Sequence, residues 1–345
     1  MKFVSTLQLL TLHIVATQAA SSGNSCSLTE SVIQEIKSAQ IAFDPSSISH
    51  SVASAVHDFD TAIGHSVDDS GEGLVKDGKS PGLRGYSFFT GLAKSATFLN
   101  EFWHKKPLLL GAKDTANWIE NSFTVERDLK LVEGSYISGH RTSDVLRNGT
   151  RTDTWLFSSL KDDVARKTTW AEVEDALNGG TIYFNNAGSL WPGIGALCRM
   201  CIDAFGIPSN VNVYVTPNGV NVSVPPHTDR QDVLVMQTTG EKHWKVYAPP
   251  KRTKGKSDAL ARGKNGDVLD EDELGEPLLD IILRKGDVLY IPTGYPHTTD
   301  TIATEKDDNI PSIEDTDYSV HMTMGLDTHV WALTYAHLRW SVVSW

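Results

Sequence analysis

Pro226-His227-Thr228-Asp229 and, further on, Gly286-Asp287-Val288-Leu289-Tyr290-Ile291 running through Tyr295-Pro296 to His297 are the stretches that decide the fold. His227 and Asp229 are two residues apart, so on a β-strand both side chains project from one face. The apolar run 286–291 reads as a second strand that delivers His297 shortly after it ends. If that strand lies beside the first, two imidazoles and one carboxylate surround one point. Such a set grips one face of a metal ion and leaves three positions open. By itself it suits several ions.

The surroundings are strand-like as well. Asp232-Val233-Leu234-Val235-Met236-Gln237 is strand-like, Thr238-Thr239-Gly240-Glu241 supplies a turn, and Lys242 to Tyr247 returns. From Thr181 onward the chain reads as short strands separated by turn residues, the pattern of an antiparallel barrel or jelly roll. Ahead of it, residues 27 to 65 carry Leu28, Val32, Ile33, Ile36 and Ile41 near helical spacing. Ser66 to Gly85 reads as a loop, and Phe98 to Trp103 as a short helix. Asp114 to Asp128 and Thr169 to Leu177 read as further helices, the second closed by Asn178-Gly179-Gly180. The fold class expected is therefore mainly β with α, a jelly roll preceded by a helical region.

On the return strand, alternation puts Lys242, Trp244 and Val246 on one face and His243, Lys245 and Tyr247 on the other. An ammonium on the Trp/Val face is costly to bury unless something anionic meets it. Either Lys242 snorkels outward or it meets a carboxylate from protein or ligand. The neighbouring metal motif favours a dicarboxylate cosubstrate. In Tyr318-Ser319-Val320-His321-Met322-Thr323, alternation sets Ser319, His321 and Thr323 on one face. Ser319 is read as lining a wet pocket, and His321 stays open between pocket and solvent. His50, His57, His65, His104 and His140 have no partner spacing and read as structural.

Composition sets the outer limits. The 345 residues carry 43 acidic and 31 basic side chains, a net charge of −12. That balance repels a phosphate backbone, so no direct nucleic-acid binding is expected, and the short basic run Lys251 to Lys256 reads as a solvated loop. No stretch is long and apolar enough to cross a bilayer. Residues 1–20 have a basic start, an apolar run and small residues at Thr17-Gln18-Ala19-Ala20, which reads as a signal peptide. The expected location is the secretory pathway or endoplasmic reticulum lumen, with nucleus or cytoplasm the alternative if this segment is not a leader. Asn148-Gly149-Thr150 and Asn221-Val222-Ser223 are then glycosylation sequons. Three cysteines, Cys26, Cys198 and Cys201, are too few for a disulfide scaffold, and Cys198 and Cys201 read as packed core on one helix face.

Taken together, Asn212-Val213-Tyr214-Val215-Thr216-Pro217, Pro225-Pro226-His227-Thr228-Asp229 and Gly240-Glu241-Lys242-His243-Trp244-Lys245-Val246-Tyr247 resemble the JmjC oxygenases. The branch they resemble most is the ribosomal oxygenases, the cupin-like protein histidyl and arginyl hydroxylases. Glu101 to Leu108, Gly286 to His297 and Ser319 to Thr323 resemble further elements of the same family, so the likeness runs from about Phe98 to Trp331. It implies a double-stranded β-helix over 181–345 after an α-rich lead-in over 98–180, while residues 21–97 read from their own pattern as a helical and loop region. It also implies Fe(II) held by His227, Asp229 and His297, with 2-oxoglutarate and O2 as cosubstrates. Lys242 falls on the residue that meets the distal carboxylate of 2-oxoglutarate. Tyr214, Asn212 and Ser319 fall on positions lining the cosubstrate or substrate pocket.

The implied activity is protein hydroxylation of histidyl or arginyl type on a protein or peptide substrate. Two alternatives stand beside it: an N-methyl-lysine demethylase using the same chemistry, and a metal-binding cupin without turnover. The sequence sets no oligomeric state.

Overall fold

The computed structural model describes residues 27–64, 80–147, 150–158, 167–220, 222–249, 274–301 and 317–327. The expected leader at 1–20, Cys26, the sequon asparagines Asn148 and Asn221, and most of the 251–279 and 305–317 loops lie outside them. The first helix, α1, covers residues 27–41. It is followed by α2 (His50–Ala62), α3 (Pro81–Lys94), α4 (Trp170–Gly179) and α5 (Pro192–Phe205). Serines cap α2 and α3: Ser49 accepts from the Val52 N–H and Ser80 from the Leu83 N–H. Gly206, at φ 68°, closes α5 in the left-handed conformation that glycine takes without strain.

Among the described residues, twelve strands form two facing sheets. They are β1 (Leu108–Leu110), β2 (Ser138–Arg147), β3 (Thr150–Ser158), β4 (Gly180–Phe184), β5 (Ser209–Pro217) and β6 (Val224–His227). Then come β7 (Asp232–Thr239), β8 (Glu241–Tyr247), β9 (Pro277–Arg284), β10 (Val288–Ile291), β11 (His297–Asp300) and β12 (Tyr318–Leu326). The large sheet runs β1-β10-β7-β12-β5-β4-β3-β2 and the small one β6-β11-β8-β9. All pairings are antiparallel except β3 with β4. From β5 to β12 the strands alternate between the sheets, except that β8 and β9 are neighbours in the small one, and this is the double-stranded β-helix the resemblance implies. Strands β1 to β3 come from the 98–180 lead-in and extend the same large sheet.

The large sheet is buried on both faces, which is why the middle of β7, Val233 to Met236, is continuously apolar instead of alternating. Its outer face carries Val213, Val215, Met322, Met324, Leu234 and Met236, packed with Phe59, Phe88, Leu197 and Met200 of the helices. The inner face sets Val233, Val235, Leu289 and Ile291 against Trp244, Val246 and Leu283 of the small sheet. This second, smaller core is the barrel interior, and the candidate site opens into it.

One expected element is absent. Residues 114–128 form a chain of turns, not a helix, with Ala116, Asn117 and Asn121 at φ of 57°, 53° and 55°. Left-handed residues interrupt the helical hydrogen-bond ladder. Tertiary contacts hold the segment this way: Trp118 is buried against Phe59 and Phe89, and the Asn121 N–H donates to the Thr238 carbonyl of β7. The α5 cysteines behave as packed thiols. Cys201 is buried, Cys198 partly so, and burial pushes the Cys198 thiol up to about 11 and that of Cys201 higher still.

Candidate metal centre

Ladder register builds the centre. β11 pairs with β6 so that His297 faces His227, and with β8 so that His297 faces Val246 and Thr299 faces Trp244. The β6 side slips by one residue between the pairs His227–His297 and Val224–Thr299. Pro225 and Pro226 lie inside that slip. Neither can donate to a ladder, so a bulge is the arrangement in which two successive prolines fit a paired strand. His227, Asp229 and His297 each offer one ligand atom, and these atoms lie within 4.8 Å of one another. Among the described residues no other His/Cys/Asp/Glu group does this.

The neighbours orient the ligands. His297 Nδ1 lies 3.1 Å from the Tyr295 carbonyl, which only accepts, so Nδ1 carries the proton. Nε2 keeps its lone pair and stands 3.6 Å from Asp229 Oδ2. The Asp229 backbone carbonyl accepts from the Gly294 N–H and from Thr293 Oγ1, both at 3.0 Å, which ties the loop before β11 to the loop after β6. Gly294 sits at φ 75°, where a side chain would strain the turn. Behind this lies Asp232, fully buried. It accepts from Tyr290 Oη at 2.6 Å and from the Thr293 N–H at 2.8 Å, and His104 Nδ1 approaches it at 3.2 Å. His104 is therefore part of the scaffold, as its lack of ligand spacing suggests.

Lys242 does not snorkel. Its side chain is 1% exposed on the inner face of β8 with Trp244 and Val246. Nζ donates to Thr216 Oγ1 at 2.8 Å, and Thr216 is bonded in turn to Thr181. No carboxylate within salt-bridge reach pairs with it among the described residues. Burial brings its pKa from 10.5 down to about 7, with Asp300 opposing part of the fall.

The remaining expected residues separate by depth. Tyr214 lines the metal cavity with Val224, Val235, Trp244, Thr299 and Thr323. Ser319 is fully buried but stands deeper, opposite Thr216 across β12–β5, where its hydroxyl accepts from Gln237 Nε2 at 2.9 Å. Asn212 lies at the other end of the same stripe. It is half-buried, and its side-chain oxygen accepts from the Asn186 N–H at 3.2 Å. Two residues come to the site that the strand pattern did not assign. Thr216 sits beside Pro217 in a motif read only for its resemblance, and His321 joins the cavity wall flat against Tyr214. The alternation of Ser319, His321 and Thr323 was the available signal for the latter.

The donor set suits a divalent iron: two imidazoles, one carboxylate, and a cavity beside them. Lys242 suits a carboxylate that would arrive with a second ligand. Both observations fit the groups the sequence implies.

Among known families, the JmjC domain matches residues 194–313 of this chain. The chain is 29% identical over 231 residues to the bifunctional lysine-specific demethylase and histidyl-hydroxylase NO66 of Drosophila persimilis, covering 66% of this chain and 29% of that protein. It is 30% identical over 255 residues to ribosomal oxygenase 2 of Mus musculus, covering 69% and 47%. The chain thus spans less than half the length of these curated relatives. A crystal structure of the Escherichia coli ribosomal oxygenase YcfD aligns at 19% identity and a TM-score of 0.42, over 66% of this chain and 50% of that one.

Proposed function

We propose that this JmjC domain, completed by β12, is an Fe(II)- and 2-oxoglutarate-dependent dioxygenase that hydroxylates a protein side chain, of histidyl or arginyl type. The observation that carries the reading is Lys242: a buried ammonium, on the barrel's inner face below the His227–Asp229–His297 set, with a threonine hydroxyl as its partner. A metal-binding cupin without turnover has no use for such a group, and its burial is costly. When bound, Fe(II) with 2-oxoglutarate supplies the means to activate O2 and oxidise a C–H bond. The chain's own part is positional. His227, Asp229 and His297 would hold the metal, and Tyr295 fixes the tautomer of His297. Lys242 would hold the distal carboxylate, and the Trp244–Val235 interior keeps water out.

The related Drosophila protein is named for both a demethylase and a hydroxylase, so the test carries both substrate types. Succinate is measured from 2-oxoglutarate with Fe(II), ascorbate and a library of ribosomal and histone-tail peptides, and products are read by mass. A gain of one oxygen on the peptide supports hydroxylation, while loss of a methyl group supports demethylation. Turnover equal to that of His227→Ala sinks the oxygenase reading. Reading residues 1–20 as a leader places this activity in the secretory pathway. A glycosidase-sensitive mobility shift that disappears with Asn148→Gln and Asn221→Gln supports it, and an unshifted full-length chain counts against it.

A further inference from the structure

The barrel interior is built in rungs. Inward-facing residues recur every second position, roughly 7 Å apart along a strand. On β8 these are Lys242, Trp244 and Val246, with His297 beside Val246 and Thr299 beside Trp244. On the facing sheet the rungs pair Thr216 with Ser319, Tyr214 with His321, and Asn212 with Thr323. Thr216 marks the Lys242 end because it is bonded to Nζ. His321 thus occupies the middle rung, between the lysine and the metal ligands.

Its ring is clamped there. It stacks on Tyr214 at 4.7 Å between centroids and 4° between planes, and Trp244 meets it edge-on at 5.3 Å and 79°. His321 is 3% exposed and lines the metal cavity, yet its Nδ1 is buried with no hydrogen-bond partner. Phenylalanine would pack against Tyr214 equally well. An unmatched nitrogen in a buried wall is costly and calls for a partner that the protein does not itself provide.

We infer that His321 is a second polar anchor for the cosubstrate, donating its Nδ1–H to the carboxylate that Lys242 holds. The inference rests on the 2-oxoglutarate reading above. A carboxylate only accepts, so the ring must carry its proton on Nδ1. Lys242 already supplies the positive charge, and burial next to Lys242 and His297 keeps His321 uncharged. The neutral donor adds direction without a second buried cation.

Binding to the Mn(II)-loaded full chain tests this without turnover. Calorimetry would compare 2-oxoglutarate with 2-oxobutyrate, which lacks the distal carboxylate, in wild type, His321→Phe and His321→Asn. His321→Phe should weaken 2-oxoglutarate roughly tenfold or more, leave 2-oxobutyrate and Mn(II) affinity unchanged, and His321→Asn should fall between. In the Zn(II)-loaded protein, 2-oxoglutarate should also bring out a downfield ring N–H resonance that His321→Phe lacks. Equal weakening of both acids would place the contact at the metal-proximal end and overturn the inference. Unchanged 2-oxoglutarate affinity in both variants would reduce His321 to packing. If wild type binds Mn(II) but not 2-oxoglutarate, the cosubstrate reading itself fails, a result distinct from either.

Discussion

His227 and His297 are direct partners across the β6–β11 ladder, with ring centroids 4.4 Å apart. The metal centre is therefore a property of strand register. A slip of one residue would turn His297 to the outer face of the small sheet, where His243 lies between Asp280 and Asp300. The Pro225–Pro226 bulge and the Asp229–Thr293 tie hold that register from either side.

Removing a ligand should separate metal binding from folding. Asp229→Ala is expected to lose Fe(II) or Mn(II) binding while its circular dichroism matches wild type. Thr293→Val, which removes only the hydroxyl bond to the Asp229 carbonyl, should weaken the metal about tenfold. Metal titration followed by electron paramagnetic resonance reads both, and wild-type affinity in Asp229→Ala would remove it from the ligand set.

Lys242 should matter to the cosubstrate and not to the metal. Lys242→Met keeps the length and apolar bulk while deleting a buried ammonium, so the ligand-free protein is expected to be at least as stable. Its 2-oxoglutarate affinity should fall by roughly tenfold or more, the value of a charge-assisted hydrogen bond. Calorimetry and urea unfolding on the same samples check the pair of outcomes.

The lysine also sets a pH dependence. Its folded pKa is about 7 against 10.5 for the free group. Below pH 7 both states hold the proton and the burial penalty is fully present. Between 7 and 10.5 the unfolded chain binds the proton that the folded chain has shed, so stability rises with pH through that window. Cosubstrate binding runs the other way, because the dicarboxylate needs the ammonium. At pH 8, calorimetry in buffers of different ionisation heat should show proton uptake by wild type and none attributable to this group in Lys242→Met.

Asp232 is the scaffold residue to probe. Asp232→Ala strips the acceptor from Tyr290 Oη and the Thr293 N–H in a buried setting. A loss of about 2–5 kcal/mol in urea unfolding is expected from two orphaned donors, with weaker metal binding because Thr293 also holds Asp229. Destabilisation under 1 kcal/mol would show that the network relaxes.

Neither helix cysteine should react in the native state. With Cys201 buried and the Cys198 thiol pushed up to about 11, iodoacetamide at pH 7.5 is expected to spare both until denaturant is added. Rapid native alkylation of Cys201, followed by mass spectrometry, would contradict the packed-core assignment.

Much of this was legible along the chain because it depends on short periods. A two-residue alternation puts Lys242 with Trp244 wherever the strand ends up, whereas β6 ends at His227 and Asp229 joins the set from the loop just after it. The resemblance in 212–217, 225–229 and 240–247 added Tyr214, which does line the cavity. Residues 114–128 were misread for the opposite reason. Their apolar residues look helical in sequence, but Trp118 and the Asn121 tie to β7 draw the backbone into left-handed turns. Asn212 and Ser319 share the right stripe yet lie at opposite ends of it, because alternation gives a face and not a depth.

By itself the sequence determined the candidate donor set, a run of jelly-roll strands and the face on which Lys242 stands. Each follows from residue type and strand period, which are local; the double-stranded β-helix came from the resemblance. Only the tertiary structure decided which neighbour holds each group: Tyr295 behind His297, Thr293 and Gly294 on Asp229, Thr216 under Lys242, and Tyr214 and Trp244 around His321. Those pairings depend on register between strands far apart in the chain, and register is settled by packing of the whole barrel.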